Sequence, residues 1–423
     1  MSLTRKNQGI LKWLYIFLLL IPFVSPSVEI TFFSIFGVQI IVLSTSRITI
    51  SKSAIVSFSP LIAIAVISIF FLSIADPYEA LKDFFYIIKP IILALSGYIL
   101  VKRIRDKTYF IKAIIYSGLF LGISHIIPII FNVYDVSFSN INYFRVVYGR
   151  DNYLELFSLL LLALHFKSNE IKLRIKYLTL IVLAMSVVLY FSRTMLISLF
   201  IMGLSFYGLT RLTKKGAKYL SYFFVFLVIL YSTLYSVEIE RNEGNAINKF
   251  LYKLKIAPAE IFLTEVDKNN QEELWDHWRG YEAIMAIKSL EHNPRYWIFG
   301  RGLGSQVDLE FKAPLDEEGE GMQFISLLHN GYIYVLYKTG IIGLLLYLSF
   351  LYSLYNRRLV KANRVLNRTN NIVIAIGLFY AFSTLVIAGI YNPNDILMFV
   401  LGSFIYKGER LKKIMDENSD YRH

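Results

Sequence analysis

Stretches of about 18 or more residues with almost no charge recur along the whole chain, and that recurrence limits the fold more than any other feature. A soluble helix or strand interrupts its apolar positions with polar ones every few residues, so that only one face is buried. Here the interruptions fall between the runs, not within them. With 56% hydrophobic and 18% charged residues over 423 positions, the chain carries more apolar surface than a soluble fold of its length can bury. Lipid is the solvent that this pattern requires. The predicted spans are 10–26, 28–45, 54–75, 84–101, 109–133, 152–166, 177–191, 194–210, 219–236, a run from 324 to 355, 372–391 and 395–406. The expected fold class is therefore an all-α integral membrane protein, with about 12 transmembrane helices and one large, partly helical loop. It divides into helices over 1–236, the loop over 237–323, and three further helices with a short tail over 324–423.

The net charge of +13 would fit a nucleic-acid partner if the cations shared one domain. They instead sit in small groups between runs, which excludes that partner and follows the positive-inside rule. Arg47 and Lys52, Lys102 to Lys107, Lys167 to Lys176, Arg211 to Lys218 and Arg357 to Arg368 alternate with segments poor in Lys and Arg. The basic groups share the side of the N-terminus, so both termini are expected in the cytoplasm and the long loop outside. The cations Arg5, Lys6 and Lys12 ahead of the first apolar run, with no small-residue cleavage pattern after it, read as an uncleaved first span. The chain has no Cys, so it has neither disulfide nor thiolate chemistry.

A few polar residues stand out against this background. Arg193 lies between two apolar runs that together span roughly 34 residues without another charge. It is either an interface anchor or an anion clamp, since a guanidinium stays charged and grips phosphate through paired donors. Arg279 sits in a stretch, 272–291, that reads as an amphipathic helix stopped at Asn293 and Pro294. At 100° per residue, Ala283, Ala286 and Leu290 share its face, while His277, Tyr281 and Lys288 lie opposite. Arg279 therefore faces either a ligand or a local acid, Asp276 or Glu282.

Gly300, Gly302 and Gly304 alternate in a short segment. Without a flanking strand and helix they suggest a packed bend sooner than a dinucleotide loop. The run 324–355 would measure about 48 Å as one helix against a hydrocarbon core near 30 Å, so a break is expected at Gly340 and Gly343. His329 then lies near the outer surface, where an imidazole can serve as a general base or hold a structural hydrogen bond. Arg145, Arg150 and Asn152 occupy an outer loop that could line the same cleft or anchor the interface. Glu155 and Lys89 lie within or beside spans, where pairing inside the bundle would satisfy them. The acidic stretch 316–320 lacks oxygen-ligand spacing, and no metal or cofactor is expected.

These residues resemble the bacterial O-antigen polymerase and O-antigen ligase superfamily of membrane glycosyltransferases. The likeness rests on Ser192, Arg193 and Thr194 between two spans, Arg279 at the start of a loop helix, and Gly300, Gly302 and Gly304. His329 and Asn330 follow, ahead of Thr339, Gly340 and Gly343. It is strongest over 192–346. What it implies is metal-independent transfer of a glycan from an undecaprenyl-diphosphate carrier to an acceptor hydroxyl, at the periplasmic face of the bacterial cytoplasmic (inner) membrane. Arg193 and Arg279 would hold the diphosphate and His329 would act as base. Arg145, Arg150, Asn152 and Asn330 are further candidates for substrate contact. The implied partners are an undecaprenyl-diphosphate-linked oligosaccharide and membrane lipid, with a chain-length regulator and a flippase of the same pathway. A polymerase, a ligase acting on a lipid A core sugar, and a transporter or flippase of lipid-linked sugars are the readings to be separated.

Overall fold

The computed structural model describes residues 5–25, 27–44, 49–71, 76–131, 152–166, 175–239, 270–314, 321–357 and 363–420, with isolated positions between 248 and 266. Arg145 and Arg150 lie outside the described residues. The described chain is mostly helical. Among the described residues nine helices precede the loop: α1 (Arg5–Val24), α2 (Val28–Ser44), α3 (Lys52–Phe70), α4 (Pro77–Arg103), α5 (Tyr109–Phe131), α6 (Tyr153–His165), α7 (Lys176–Leu189), α8 (Arg193–Phe206) and α9 (Lys214–Ser236). Within the loop lie α10 (Gln271–Asp276), α11 (Trp278–Glu291), α12 (Pro294–Phe299), β1 (Val307–Ala313) and β2 (Met322–Ile325). Then come α13 (Gly331–Tyr355), α14 (Arg364–Ile387) and α15 (Leu397–Asp420). Seven of the described helices are long and apolar enough to cross a membrane, and α2, α6, α7 and α8 carry shorter apolar stretches.

The packing shows how helices associate without a hydrophobic drive between them, through close backbone contact at small residues. α4 and α15 run side by side. A Cβ on Gly97 would sit 1.9 Å from the Phe399 carbonyl oxygen, and one on Gly402 would sit 1.8 Å from that of Ala94. The first part of α15, from Leu397 to Ile405, is buried at the centre of the bundle. Large apolar side chains such as Trp13, Phe70 and Phe224 point outward instead, as they do where the surroundings are acyl chains.

Hydrogen bonds sort the helix ends into two groups. At one end Lys102 donates to Thr49 Oγ1 (2.7 Å), and Arg211 donates to Asn371 Oδ1 (2.7 Å) and to the Arg357 carbonyl (2.9 Å). Glu409 accepts from Ser51 and Tyr98, both at 2.7 Å. These contacts gather the described parts of the basic segments around 102–107, 211–218 and 357–368 at a single end. The loop elements pack on the other: Phe299 stacks on Phe71 at the close of α3 (4.9 Å between ring centres), and Asp83 near the start of α4 accepts from the Gly304 amide (2.7 Å).

Three local expectations need correction. The apolar run from Phe324 does not begin a helix. Residues Met322–Ile325 pair antiparallel with β1, Val307 opposite Ile325, so the fold carries a two-stranded hairpin that an all-α reading leaves out. α13 starts at Gly331, where Asn330 caps it. The stretch 272–291 is two helices, not one, because His277 leaves helical geometry at φ −115°, ψ 23°. Tyr281, placed opposite the apolar face by periodicity, is buried, because the hairpin covers that face and its hydroxyl donates to the Leu309 carbonyl (2.6 Å). The expected break in α13 is found at Gly340, with φ 65° and ψ −168°.

Candidate active site

The break at Gly340 explains the alternating glycines. A helix that stops frees its last carbonyls. Here those of Tyr337 and Lys338 accept from the amides of Arg301 (2.7 Å) and Gly302 (3.0 Å). Gly300, Gly302 and Gly304 all have positive φ, between 74° and 80°. A Cβ at Gly302 would lie 1.4 Å from the Phe71 carbonyl oxygen, so the loop lies directly on the end of α3. Four amides of the segment, those of Gly300, Arg301, Gly302 and Gly304, are thus spent on protein acceptors. It is a clamp between the loop and α13, not a phosphate cradle.

Lys338 and Asp83 complete this clamp. The Lys338 ammonium bonds the Asp83 carboxylate and the Ser305 carbonyl (2.5 Å), and both side chains are fully buried. Lone charges in apolar runs are costly in lipid unless paired, and neither Asp83 nor Lys338 stood out in the sequence. Lys89 and Glu155 are also bonded inside the bundle, to neutral groups and not to one another. Lys89 donates to the carbonyls of Asn392 and Pro393, both at 2.7 Å, and Glu155 accepts from Ser186 and from Tyr190 (2.9 Å).

Held above this clamp, His329 sits in the connection between β2 and α13. Its Nδ1 lies 2.9 Å from Oε2 and 3.0 Å from Oε1 of Glu282 on α11, and its backbone N–H donates to the same carboxylate (3.1 Å). The Glu282 side chain is 3% exposed and that of His329 48%. A carboxylate beside Nδ1 makes that nitrogen the donor and leaves Nε2 as the basic nitrogen of the neutral ring, on the side open to solvent. In the sequence Glu282 stands out only as one of two local acids beside Arg279. The signal that points further is an acid on the buried face of an amphipathic helix, which needs a partner from another element.

Arg279 precedes Glu282 by three residues on α11, a spacing that brings side chains onto one helix face with Cβ atoms about 5–6 Å apart. It is half-buried, and among the described residues no carboxylate forms an ion pair with it. Arg193 opens α8 behind the capping Ser192, whose Oγ accepts from the Met195 amide (3.3 Å). A cation there meets the positive end of the helix dipole, so an anion bound at the same place relieves both.

The packing of α8 on α14 places Arg193 at the same end as His329. Asn371 donates to the Phe206 carbonyl (3.4 Å), which registers the last turn of α8 against the beginning of α14. The same rise of about 20 Å leads back from Phe206 to Arg193 and forward from Asn371 to Thr384. Four residues beyond Thr384, the Ala388 amide donates to the His329 carbonyl (2.6 Å). The two remaining candidates among the described residues, Asn152 and Asn330, both cap helices. Asn152 is buried and caps α6 by accepting from the Leu154 amide (3.0 Å), and Asn330 caps α13 by accepting from the amides of Tyr332 (3.1 Å) and Ile333 (3.2 Å).

Fold and site together describe a multi-pass helical membrane protein with an acid-oriented histidine and arginines at one end of its bundle. Residues 178–348 match the family model described as O-antigen ligase, a segment that runs from α7 to α13 and contains Arg193, Arg279, Glu282 and His329. That match supports membership of the O-antigen polymerase and ligase superfamily, whose members are membrane glycosyltransferase-like enzymes. No curated protein matches the chain significantly.

Proposed function

We propose that the protein is a polysaccharide polymerase, transferring a glycan chain from an undecaprenyl-diphosphate carrier onto the free end of a lipid-linked repeat unit. The reaction takes place at the periplasmic face of the cytoplasmic membrane, where the bundle of about 12 spans presents its loop, with both termini in the cytoplasm. The observation that carries this reading is the Glu282–His329 pair, which leaves one imidazole nitrogen free to take a proton.

In the proposed step the acceptor hydroxyl gives its proton to Nε2 of His329 while its oxygen bonds to the anomeric carbon of the donor. The bond from that carbon to the diphosphate oxygen breaks, and its electron pair leaves with the diphosphate. Arg279 and Arg193 stabilise the charge that develops there, as fixed donors that need no proton transfer of their own. Glu282 stabilises the imidazolium, which then releases its proton to water. The step uses no metal. The clamp built from Gly300 to Ser305 and Lys338 keeps α11 and α13 in register, so that base and arginines share one frame.

A ligase acting on a lipid A core sugar would use the same donor chemistry and the same residues. A transporter would need charges poised along a path through several helices. The buried charges Asp83, Lys89, Glu155 and Lys338 each bond to protein partners, which favours an enzyme. The test is the surface glycolipid of a deletion strain. A polymerase leaves single repeat units, a ligase leaves none, and retained full-length chains would exclude both.

A further inference from the structure

The basic end of the bundle, opposite the site, holds a cavity of about 570 Å³ between the end of α6, the beginning of α7, the end of α8 and the first turns of α14. Ala163, Leu164, Leu180 and Phe206 form apolar walls, while Arg368 and Asn371 supply the polar part of the lining. Its surface therefore matches a ligand with an aliphatic body and an anionic head.

Arg211 strengthens the positive field there. It lies behind Asn371, to which its Nε donates at 2.7 Å, and its Nη1 donates to the Arg357 carbonyl (2.9 Å). The residue is 7% exposed, and its Nη2 has no hydrogen-bond partner among the described residues. Burial pushes its guanidinium pKa down. Among the described residues no carboxylate pairs with Arg211 or Arg368, so the charge of this corner is not compensated by them. Uncompensated guanidinium groups beside an apolar cleft between membrane helices are the setting in which lipid phosphates bind.

We propose that this cavity binds an anionic phospholipid, with its phosphate on Arg368 and Asn371 and an acyl chain along Leu164, Leu180 and Phe206. A lipid seated there would span the α8–α14 seam, whose far end carries Arg193 and the Ala388 contact to His329. The inference does not depend on the glycan-transfer reading, since it rests on a separate cavity.

The experiment is native mass spectrometry of the purified full-length protein in detergent, titrated with phosphatidylglycerol or with phosphatidylethanolamine. Phosphatidylglycerol is expected to bind about tenfold more tightly than phosphatidylethanolamine, because only the first carries a net negative charge. Arg368→Gln and the cavity-filling Ala163→Trp should each weaken it by about tenfold, with circular dichroism confirming that both variants stay folded. Millimolar inorganic phosphate should not displace the lipid. Equal binding of the two lipids, unchanged phosphatidylglycerol binding in folded Arg368→Gln, or displacement by phosphate, which would mark a site for free anions, would each overturn the proposal.

Discussion

Glu282 grips His329 twice, its Oε2 standing 2.9 Å from Nδ1 and 3.1 Å from the backbone nitrogen of the same residue. One buried acid on α11 thereby fixes the ring orientation, its tautomer and the path of the chain entering α13. The grip also ties the loop helix to the bundle at the point where the imidazole is exposed.

If Glu282 orients the base and stabilises its protonated form, Glu282→Gln should lower kcat by about a hundredfold while KM changes little, because the amide can accept the hydrogen bond but not the charge. His329→Ala should lower it further. Steady-state transfer rates with a lipid-diphosphate oligosaccharide would show this, and native kcat in folded Glu282→Gln would remove the acid from the mechanism.

Arg279→Ala and Arg193→Ala are expected to abolish product formation while leaving membrane insertion intact. Arg279→Lys should retain less than native activity, since a point ammonium cannot reproduce a paired-donor fork on a diphosphate. Product analysis alongside membrane fractionation separates these effects. Full activity in either alanine variant would exclude that arginine from diphosphate binding.

The clamp yields a prediction about stability. Gly302 has φ 80°, and a Cβ there would fall 1.4 Å from the Phe71 carbonyl oxygen. Gly302→Ala should therefore cost more than about 2 kcal/mol, combining left-handed strain with an overlap against backbone. A lowered Tm in detergent and faster proteolysis in the loop are the expected signs. An unchanged Tm would mean that the loop does not lie on α3.

Lys338→Met leaves the buried Asp83 carboxylate without its counter-ion, and loss of one partner of a buried pair costs about 3–5 kcal/mol. The double variant Lys338→Met with Asp83→Leu removes both charges and should recover most of that loss. Thermal unfolding of the two proteins gives the comparison. A double variant no more stable than the single one would show that the pair is not the unit that matters.

Much of this architecture is legible from one-dimensional patterns. Apolar runs locate the helices because in lipid a segment must satisfy its own backbone, and the break expected at Gly340 is present although the helix there is shorter than the run that suggested it. Local pattern failed where tertiary contact decides. The apolar residues around Phe324 serve a hairpin strand, and a short apolar run does not by itself distinguish strand from helix. Glu282 was read against Arg279 on its own helix because its real partner, His329, is 47 positions away. Asp83 and Lys338, separated by 255 positions, carry no local sign of each other. Lys338 is marked only as a solitary charge in an apolar stretch, and Asp83 is one of four charged residues, with Asp76, Glu79 and Lys82, at the start of α4.

The most direct test of the central claim is to incubate the purified protein with polyprenyl-diphosphate-linked oligosaccharide in detergent, where no compartments exist, and to follow glycan length and release of the lipid diphosphate. The account predicts longer lipid-linked glycan with one diphosphate carrier released per linkage formed, and neither product from His329→Ala. Unchanged donor with folded native protein, or undiminished transfer by His329→Ala, would contradict it.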